Sequence, residues 1–460
     1  MKIYTLTAFF LTFTLGITLT FSQDYPTTSN MVSMEPSGLI RCETTENEIS
    51  LRKLYPKRAT EKEFENWIAI KKQELSSQKL NSTNVVQTIP LVFHILTDAN
   101  GTNSLTAELI QAQINQLNID FNNLAGSTYT QAANSEIEFC LATQDENGVE
   151  LTEHGINRIT AYGSGPFTRT VLENNIKPAT QWDPNKYLNV WVGDITGSDS
   201  ETILLGYAQF PDSSGLDGLN FSNTGSENTD GVVVRYSTVG SLANPNPDGG
   251  NYPSGRTLTH EIGHFLGLRH TWGDEWSDGD GASASCGVDD YCDDTPNTGR
   301  PNFGCPSGGV PADTCTLPLY AANEPDMIEN YMDYTYDSCM NTFTADQVTR
   351  MLTVLSNSPR RKELVASMVC EPVLNSEDFF IKNEIHIYPN PVKDKLIIKV
   401  PNITLPDGYR IYNMLGQLIN ESSINDLSDT SIDVEDLSNG VYFIKITKNN
   451  HSITLRFIKN

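Results

Sequence analysis

Three histidines and a glutamate are concentrated in one short segment, TLTHEIGHFLGLRH, at residues 257–270, whereas the whole chain holds only seven histidines. His260 and His264 are four residues apart, so on a helix they project from the same face, one turn apart. Two imidazoles in this arrangement can bind one zinc ion, each at about 2.0–2.1 Å. Glu261 lies next to His260, where it can accept a proton from water without binding the metal.

The residues after the second histidine extend this pattern to a complete ligand set. Gly267 permits a backbone turn that a side chain would resist, so we expect the helix to end there. The chain can then bring His270 back as a third ligand. Three protein ligands leave one coordination position open, which is typical of a catalytic zinc site. The alternative is a helix with chance histidines, which the glycine and third histidine disfavour. The other histidines are predicted to be ordinary core or surface residues: His94, His154, His386 and His451.

The segments before the histidines predict the elements that position them. VVQTIPLVFHILTD, from Val85, reads as a buried strand that ends in an Asp-Ala-Asn-Gly turn, and LTAELIQAQINQLNIDF follows with helical periodicity. Further strand-like segments are SEIEFCLAT, KYLNVWVGD, LLGYAQFPD and DGVVVRYS. This order predicts an α/β layer that ends in the histidine helix. Upstream, TEKEFENWIAIKKQELSSQK has helical spacing, with Phe64, Trp67 and Ile68 on one face.

Length and charge restrict the function classes. A chain of 460 residues predicts two or three domains. Its formal net charge of −26 disfavours nucleic acid and anionic membranes as partners. The first 23 residues, MKIYTLTAFFLTFTLGITLTFSQ, are typical of a secretory signal peptide, and no later apolar run is long enough to predict a membrane span. Export makes disulfides possible for the eight cysteines.

Four segments resemble those of a known protease family. GRTLTHEIGHFLGLRHTW contains the metzincin signature, and together with DDTPNT, DMIENYMDY and CMNTFT it is similar to the pappalysin family, specifically its cytophagalysin branch, over about residues 85 to 370. The resemblance implies an α/β metzincin catalytic domain: a twisted mixed sheet, a zinc-binding helix and a loop-rich lower subdomain. It also implies a secreted zinc endopeptidase that acts on proteins or peptides and is made as a latent zymogen.

The resemblance assigns roles to several positions. Met332 would form an apolar floor beneath the metal, and Tyr334 would donate to the oxyanion of the tetrahedral intermediate. Asp337 would lie at the base of the pocket that receives the side chain after the scissile bond, which implies cleavage before Arg, with Lys weaker. The alternative for Asp337 is a solvated loop acid. The segment LLGYAQFP resembles the edge strand that aligns substrate antiparallel. Glu261 would transfer the proton from water to the leaving amine.

The cysteines and acids beside the site carry further expectations. The resemblance implies the disulfides Cys286–Cys315 and Cys305–Cys339, although spacing alone allows three connectivities. One further disulfide stays open, since no partner is assigned to Cys140, Cys292 or Cys370. The acid-rich stretch DGDGASASCGVDDYCDDTP suits calcium. The resemblance places calcium ligands at Asp290 and Thr295, and the alternative is a solvated acidic loop.

Cys42, in IRCETTENE, lies alone in a polar leader rich in lysine and glutamate. The resemblance implies an Arg-Cys element whose thiolate takes the fourth zinc position and blocks water. The alternative is an unpaired or disulfide-bonded leader cysteine. We expect the full-length chain to be latent until it is cleaved between about Lys72 and Asn84.

The C-terminal part has a different residue pattern. Its short segments of alternating apolar and polar residues predict strands of a small all-β sandwich. YPNPVKDKL, YNMLGQL, LSNGVYFIKI and LRFIKN resemble the sorting domain of type IX (Por) secretion, over about residues 379 to 460. This implies the type IX secretion machinery as a partner and a secreted or cell-surface location. The rival interpretation is a carbohydrate- or cell-binding module.

These observations predict a signal peptide at 1–23, a pro-segment with a cysteine switch at 24–84, a catalytic domain at 85–372, and a linker with a sorting sandwich at 373–460. Two alternatives to the function stay open. One is a metzincin of another branch with a different specificity, and the other is a surface adhesin that keeps the zinc fold without turnover. Glu261 beside three ligands argues against the adhesin, because a site that has lost catalysis places no demand on that glutamate.

Overall fold

The computed structural model describes residues 38–78, 86–197, 200–213, 227–274, 286, 290–306, 313–315, 324–371, 385–399, 405–414, 416–448 and 451–460. The predicted signal peptide and most of the predicted linker lie outside these residues. The chain divides into two compact units, the first within 1–140 and 156–367 and the second within 141–155 and 368–460.

The leader of the first unit forms two helices, α1 (Thr44–Leu54) and α2 (Glu61–Gln78). The sequence predicted α2, and its apolar face is buried against Phe210 and Val354 of the same unit. It did not predict α1, whose buried residues include the polar Thr44 and Asn47 and therefore give no apolar stripe.

Ten strands follow in the described part of the first unit. In chain order they are β1 (Gln87–Leu96), β2 (Ile137–Leu141), β3 (Ile156–Ile159), β4 (Phe167–Thr168), β5 (Leu188–Gly193), β6 (Ile195–Thr196), β7 (Gly206–Ala208), β8 (Val232–Arg235), β9 (Phe303–Gly304) and β10 (Tyr334–Thr335). The helices among them are α3 (Ala107–Phe121), α4 (Arg169–Val171), a π-helical turn (Leu172–Ile176), α5 (Lys177–Thr180), α6 (Arg256–Phe265), α7 (Ala345–Asn357) and α8 (Arg361–Leu364). Two 3-10 turns lie at Glu227–Thr229 and Tyr236–Thr238.

The central sheet is mixed and has the order β2-β1-β5-β8-β7, with β3 also paired to β1. Strand β1 runs parallel to β3 and β5, and β5 runs parallel to β8, whereas β7 is antiparallel to β8. The last eight residues of β1 are all buried, as expected for a parallel strand covered on both faces. Helix α6, which carries the histidines, packs against β7, β8 and α3. The sheet therefore presents β7 at the edge nearest the candidate site.

The second unit is a β-sandwich. Its strands are β11 (His386–Tyr388), β12 (Lys395–Lys399), β13 (Gly408–Asn413), β14 (Leu418–Ser423), β15 (Ser431–Asp433), β16 (Gly440–Lys448) and β17 (His451–Lys459), with a 3-10 turn at Leu427–Thr430. They form two antiparallel sheets, ordered β11-β12-β15 and β14-β13-β16-β17. Leu396 and Ile398 of the first sheet share one buried core with Ile411 and Ile444 of the second. The prediction of an α/β domain followed by a small all-β sandwich is confirmed.

The structure contains both disulfides implied by the resemblance, Cys286–Cys315 and Cys305–Cys339. Cys140 and Cys370, to which the sequence assigned no partner, are each disulfide-bonded as well. Cys292 is a free, buried thiol. Among the described residues, no helix is both long and apolar enough to cross a membrane.

Candidate active site

Helix α6 places two of the predicted ligands. Every residue of this helix is buried, and His260 and His264 lie four positions apart on it. The helix ends at Phe265, and Gly267 follows with φ of +88°, a conformation that L side chains rarely adopt. A Cβ at Gly267 would also lie 2.8 Å from Val354 Cγ2. The chain reverses there and returns His270 to the helix, as predicted.

The three imidazoles converge through their Nε2 atoms. His264 Nε2 lies 3.1 Å from His260 Nε2 and 3.1 Å from His270 Nε2. In a tetrahedral zinc site with bonds of about 2.0–2.1 Å, ligand nitrogens are separated by about 3.3 Å. The observed spacing is close to this value. The donor set therefore fits one zinc ion.

The opposite ring nitrogens fix the orientation of each imidazole. His260 Nδ1 lies 2.7 Å from the carbonyl oxygen of Tyr331, and His264 Nδ1 lies 2.8 Å from that of Leu268. Because a carbonyl only accepts, both Nδ1 atoms carry the proton, which leaves the Nε2 lone pairs available to a metal. His270 Nδ1 bonds instead to the carboxylate of Asp274.

Asp274 was not identified from the sequence. It follows His270 by four residues, in HTWGD. An acidic residue at this distance from a ligand histidine was the only feature of the sequence that could have indicated its role. Burial alone would raise the pKa of Asp274, but His270 and Arg269 hold it far below its usual value, so the group is a carboxylate. A carboxylate that accepts from a ligand imidazole both orients the ring and increases its basicity.

Burial also keeps the ligand histidines neutral. It lowers the pKa of His260 well below 6.5, and nearby His264 lowers it further. Burial, followed by the neighbouring His270, lowers the pKa of His264 to about 3. Neutral imidazole is the form that binds a metal, so these two rings need not lose a proton at neutral pH before binding.

Glu261 lies on the side of α6 that faces strand β7. A Cβ at Gly206 of that strand would lie 2.9 Å from Glu261 Cγ, so the glycine makes room for the glutamate. Glu261 Oε2 accepts from the Thr44 hydroxyl at 2.9 Å and from the Cys42 thiol at 3.4 Å. Burial raises the pKa of Glu261 to about 8. In the full-length chain this carboxyl is thus covered by two leader side chains.

Cys42 completes a group of four side chains that could hold a metal ion. Its Sγ and a ring nitrogen from each of the three histidines all lie within 4.8 Å of one another, and all four residues are buried. No other group of three or more His, Cys, Asp or Glu side chains with metal-site geometry was found among the described residues. Burial raises the pKa of the Cys42 thiol well above 9.0, and Glu261 raises it further. A bound zinc ion would reverse this preference, because it stabilises a thiolate.

The leader reaches the histidines along the edge of the central sheet. Ile40 forms a parallel bridge with Leu204, with backbone hydrogen bonds of 2.9 Å to Ile203 and 3.0 Å from Leu205. The amide of Glu43 then donates to the carbonyl of Gly206 at 3.1 Å. The segment LLGYAQFP, which was expected to align a substrate, is thus occupied by the leader.

Met332 packs against helix α6, and the ring of Tyr334 lies beside two of the imidazoles. A Cβ at Gly263 would lie 2.5 Å from Met332 Sδ, so the sulfur packs directly against α6 between the two ligand turns. The ring of Tyr334 lies 5.0 Å from that of His270 and 5.8 Å from that of His260, centroid to centroid. Both residues are buried.

Asp337 is fully buried, which excludes the solvated loop acid as its description. Its Oδ2 accepts from the Ser254 amide at 2.7 Å, and its backbone carbonyl accepts from the Arg256 guanidinium. Its Oδ1 is buried with no hydrogen-bond partner among the described residues. Burial raises the pKa of Asp337 to about 6. The carboxyl therefore retains one unused acceptor in a dry environment.

Asp290 and Thr295, the expected calcium ligands, contact each other. The Thr295 hydroxyl donates to both carboxylate oxygens of Asp290, at 2.8 and 2.9 Å. The Cys292 amide donates to the same carboxylate at 3.0 Å. Part of the surrounding acid-rich stretch lies outside the described residues.

Comparisons with known proteins show which families the chain resembles. The family model described as pregnancy-associated plasma protein-A matches residues 171–356, and the model of a secretion system C-terminal sorting domain matches residues 386–460. An extracellular metalloprotease of Arthroderma benhamiae is 31% identical over 306 residues, which cover 64% of this chain and 84% of that protein. Two solved structures from Tannerella forsythia are also similar. The structure of mature mirolysin in complex with a cleaved peptide is 35% identical, and the match covers 62% of this chain and 96% of the mirolysin chain, with a TM-score of 0.49. The structure of a promirolysin mutant is 34% identical, and the match covers 64% of this chain and 91% of the promirolysin chain, also with a TM-score of 0.49.

Proposed function

Because the chain belongs to the M43, or pappalysin, family of metallopeptidases and is a secreted metalloprotease with a type IX sorting domain, we propose that it is a zinc endopeptidase made as a latent zymogen. It cleaves proteins or peptides before Arg, and less readily before Lys. The observation that carries the proposal is the convergence of three Nε2 atoms, with neighbouring nitrogens 3.1 Å apart, beside a buried glutamate.

His260, His264 and His270 would hold the zinc ion. When bound, zinc supplies a Lewis acid that polarises the scissile carbonyl and makes a water molecule more acidic. Tyr331, Leu268 and Asp274 keep the rings in one tautomer and orientation.

Glu261 acts as the general base and then as the general acid. Removal of the leader takes Thr44 and Cys42 away from its carboxylate and lets water reach it. Glu261 then accepts a proton from the attacking water and returns it to the leaving amine. Tyr334 donates its phenol proton in a hydrogen bond to the oxygen that becomes negative during attack. Its buried position beside His260 and His270 supports this role.

Asp337 sets the preference for a basic residue after the scissile bond. A guanidinium would use the free Oδ1 and share Oδ2, in the planar geometry that Arg offers and Lys does not. The substrate backbone would replace the leader along the edge of β7, in antiparallel direction.

Latency depends on Cys42. With its thiolate in the fourth coordination position, the leader would exclude water from the metal, and the contacts of Ile40 and Glu43 with residues 203–206 support this arrangement. The maturation site stays predicted between Lys72 and Asn84, where residues 79–85 lie outside the described part of the chain. The sorting sandwich would engage the type IX machinery, and a structural calcium at Asp290 and Thr295 remains part of the proposal.

Hydrolysis of an arginine-containing peptide by the processed protein tests the function. We expect a chelator to abolish cleavage and zinc to restore it, and Glu261→Ala to reduce kcat by about 100- to 10,000-fold. Glu138→Ala, at an exposed glutamate of β2, is the matched control and should keep wild-type activity. Mass spectrometry of a digested peptide library gives the residue after each cut. Cleavage unaffected by Glu261→Ala would contradict the assignment, and a folded, zinc-loaded protein that cleaves nothing would favour the adhesin.

A further inference from the structure

Arg169, the first residue of α4, is held by the part of the leader that follows Cys42. Its Nε donates to the Glu43 carboxylate at 3.0 Å, and its Nη1 donates to the Ser50 hydroxyl at 3.1 Å and to the Glu46 carbonyl at 3.4 Å. With the leader in place, the side chain of Arg169 is 14% exposed and that of Glu43 is 1% exposed. Removal of the leader therefore takes a buried carboxylate away from this guanidinium.

Glu173, the acid one helical turn after Arg169, is already engaged by another cation. It pairs with the ammonium of Lys177, which is completely buried, and it accepts from the Tyr207 hydroxyl at 2.9 Å. A buried ammonium depends on such a carboxylate, because an ion in a dry environment is costly without its partner. Arg169, Glu173 and Lys177 together carry two positive charges and one negative charge. They therefore leave a net positive charge at this point once Glu43 has gone.

The position of Arg169 is set by contacts within the catalytic part of the first unit. Thr168, the residue before it, pairs through β4 with β6, and its hydroxyl accepts from the Val171 amide at 3.3 Å. The π-helical turn that follows is connected to strand β7 by the bond between Glu173 and Tyr207. Because these contacts do not involve the leader, we expect Arg169 to keep its place when the leader is removed.

The leader places Glu43 on the side of the metal where a substrate would place the residues before the scissile bond. The leader runs parallel to the edge segment 203–206, and the amide of Glu43 donates to the carbonyl of Gly206 at 3.1 Å. A substrate is proposed to run antiparallel to this segment, so the two backbones cross the metal site in opposite directions. The residues that follow Cys42 in the leader therefore lie where the amino-terminal part of a substrate would lie.

We propose that Arg169 forms a subsite for an acidic side chain, Asp or Glu, at one of the two substrate residues before the scissile bond. The inference rests on the proposed function and narrows its substrate class to peptides with an acid shortly before the cut and a basic residue after it. A guanidinium suits this role, because it can donate two parallel hydrogen bonds to one carboxylate. In the full-length chain Glu43 provides that carboxylate.

Pairs of peptides test the inference on the processed protein. All of them carry Arg after the scissile bond, and each pair differs only in Glu or Gln at the first or the second position before it. We expect kcat/KM to be about 5- to 10-fold higher for Glu in one of the two pairs, between the effect of an exposed ion pair and that of hydrogen bonds to a charged group. This preference should decrease as the salt concentration rises.

Substitutions of Arg169 connect the preference to this side chain. Arg169→Ala should bring the ratio of the Glu and Gln peptides close to unity, and Arg169→Glu should favour a peptide with Lys at the same position. Each ratio compares two substrates of one protein sample, so partial unfolding of a variant lowers both rates and leaves the ratio unchanged. Arg158→Ala is the matched control and should keep the wild-type ratio. Arg158 lies on β3, which β1, β5 and β8 separate from β7, and donates to the Ser104 hydroxyl at 2.8 Å.

The outcomes separate this inference from the proposed function. A wild-type ratio near unity in both pairs, or a preference for Glu that survives Arg169→Ala, would overturn the inference and leave peptide cleavage in place. A processed protein that cleaves none of the peptides would contradict the proposed function, and the inference with it.

Discussion

Glu65 of α2 is predicted to attach the leader to the catalytic part of the first unit. Its two carboxylate oxygens pair with Arg350 Nη1 and Nη2 at 2.6 and 2.7 Å, and with Arg269 Nε at 2.9 Å. The three side chains are at most 8% exposed. Removal of one partner from a buried ion pair costs about 3–5 kcal/mol, because the other charge is left without compensation.

We expect Glu65→Ala to be near the lower end of this range. Arg350 keeps its bond to the Gly267 carbonyl at 2.6 Å, and Arg269 keeps Asp274 at 3.3 Å. A loss of about 3 kcal/mol corresponds to a fall in the unfolding midpoint of roughly 4–5 °C, because a unit of this size has an unfolding entropy of about 0.7 kcal/mol/K. The assay is thermal unfolding of the full-length protein, with Glu261→Ala in every sample to prevent self-cleavage.

The matched control is Glu74→Ala, in the same helix. Glu74 is 51% exposed and pairs with Lys71 at 2.8 Å, so its loss should cost no more than about 0.5 kcal/mol. A midpoint for Glu65→Ala within about 2 °C of this control would refute the reasoning. Burial alone would raise the pKa of Glu65, but Arg350 and Arg269 hold it below 4.5. A carboxylate whose pKa is lower in the folded than in the unfolded state stabilises the protein at pH values above its unfolded-state pKa, and this stabilisation is lost as the pH falls. The difference in unfolding midpoint between Glu65→Ala and wild type should therefore shrink only below about pH 4.

Three further substitutions test the site. Asp337→Asn should lower kcat/KM by roughly 10- to 100-fold for peptides with Arg after the scissile bond and much less for peptides with Leu there, and an equal loss for both would contradict the assignment. Asp274→Asn removes the carboxylate that orients His270, so zinc affinity in a chelator competition should fall by about 10- to 100-fold; an unchanged affinity would refute this. Gly263→Ala places a Cβ 2.5 Å from Met332 Sδ. Its overpacking should cost about 1–3 kcal/mol in thermal unfolding, so full retention of stability would show that the sulfur moves freely.

The sequence predicted the helices and strands in which apolar residues are continuous or recur at a regular spacing. Strand β1 and helix α3 bury continuous or regularly spaced apolar residues, and both were expected. Helix α1 was not, since it buries Thr44 and Asn47 through polar contacts with the edge of the sheet. Helix α7 did carry a signal, a capping box of Thr344 and Gln347, but no helix was predicted there.

Some of the site residues could likewise be predicted from the sequence, and others could not. His260, Glu261, His264 and His270 lie within a few turns of one another, so their spacing was enough to predict the ligand set. Asp337 required a family resemblance, because its role depends on contacts with residues about eighty positions earlier in the chain.

Two partners could not be found from spacing at all. Asp274 acts through a turn that reverses the chain after His270, and Arg41 donates to the Thr257 hydroxyl, more than 200 residues away. Both contacts depend on how distant segments pack, and a single sequence does not contain that information.

X-ray absorption at the zinc edge tests the central claim most directly. The full-length protein should contain one zinc ion per chain with three nitrogen ligands at about 2.0–2.1 Å and one sulfur at about 2.3 Å, and processing should remove the sulfur and keep the nitrogens. His264→Ala should abolish the signal, whereas His94→Ala, at a buried histidine outside the site, should retain it. A protein purified without zinc, or zinc bound without histidine nitrogens, would contradict the account.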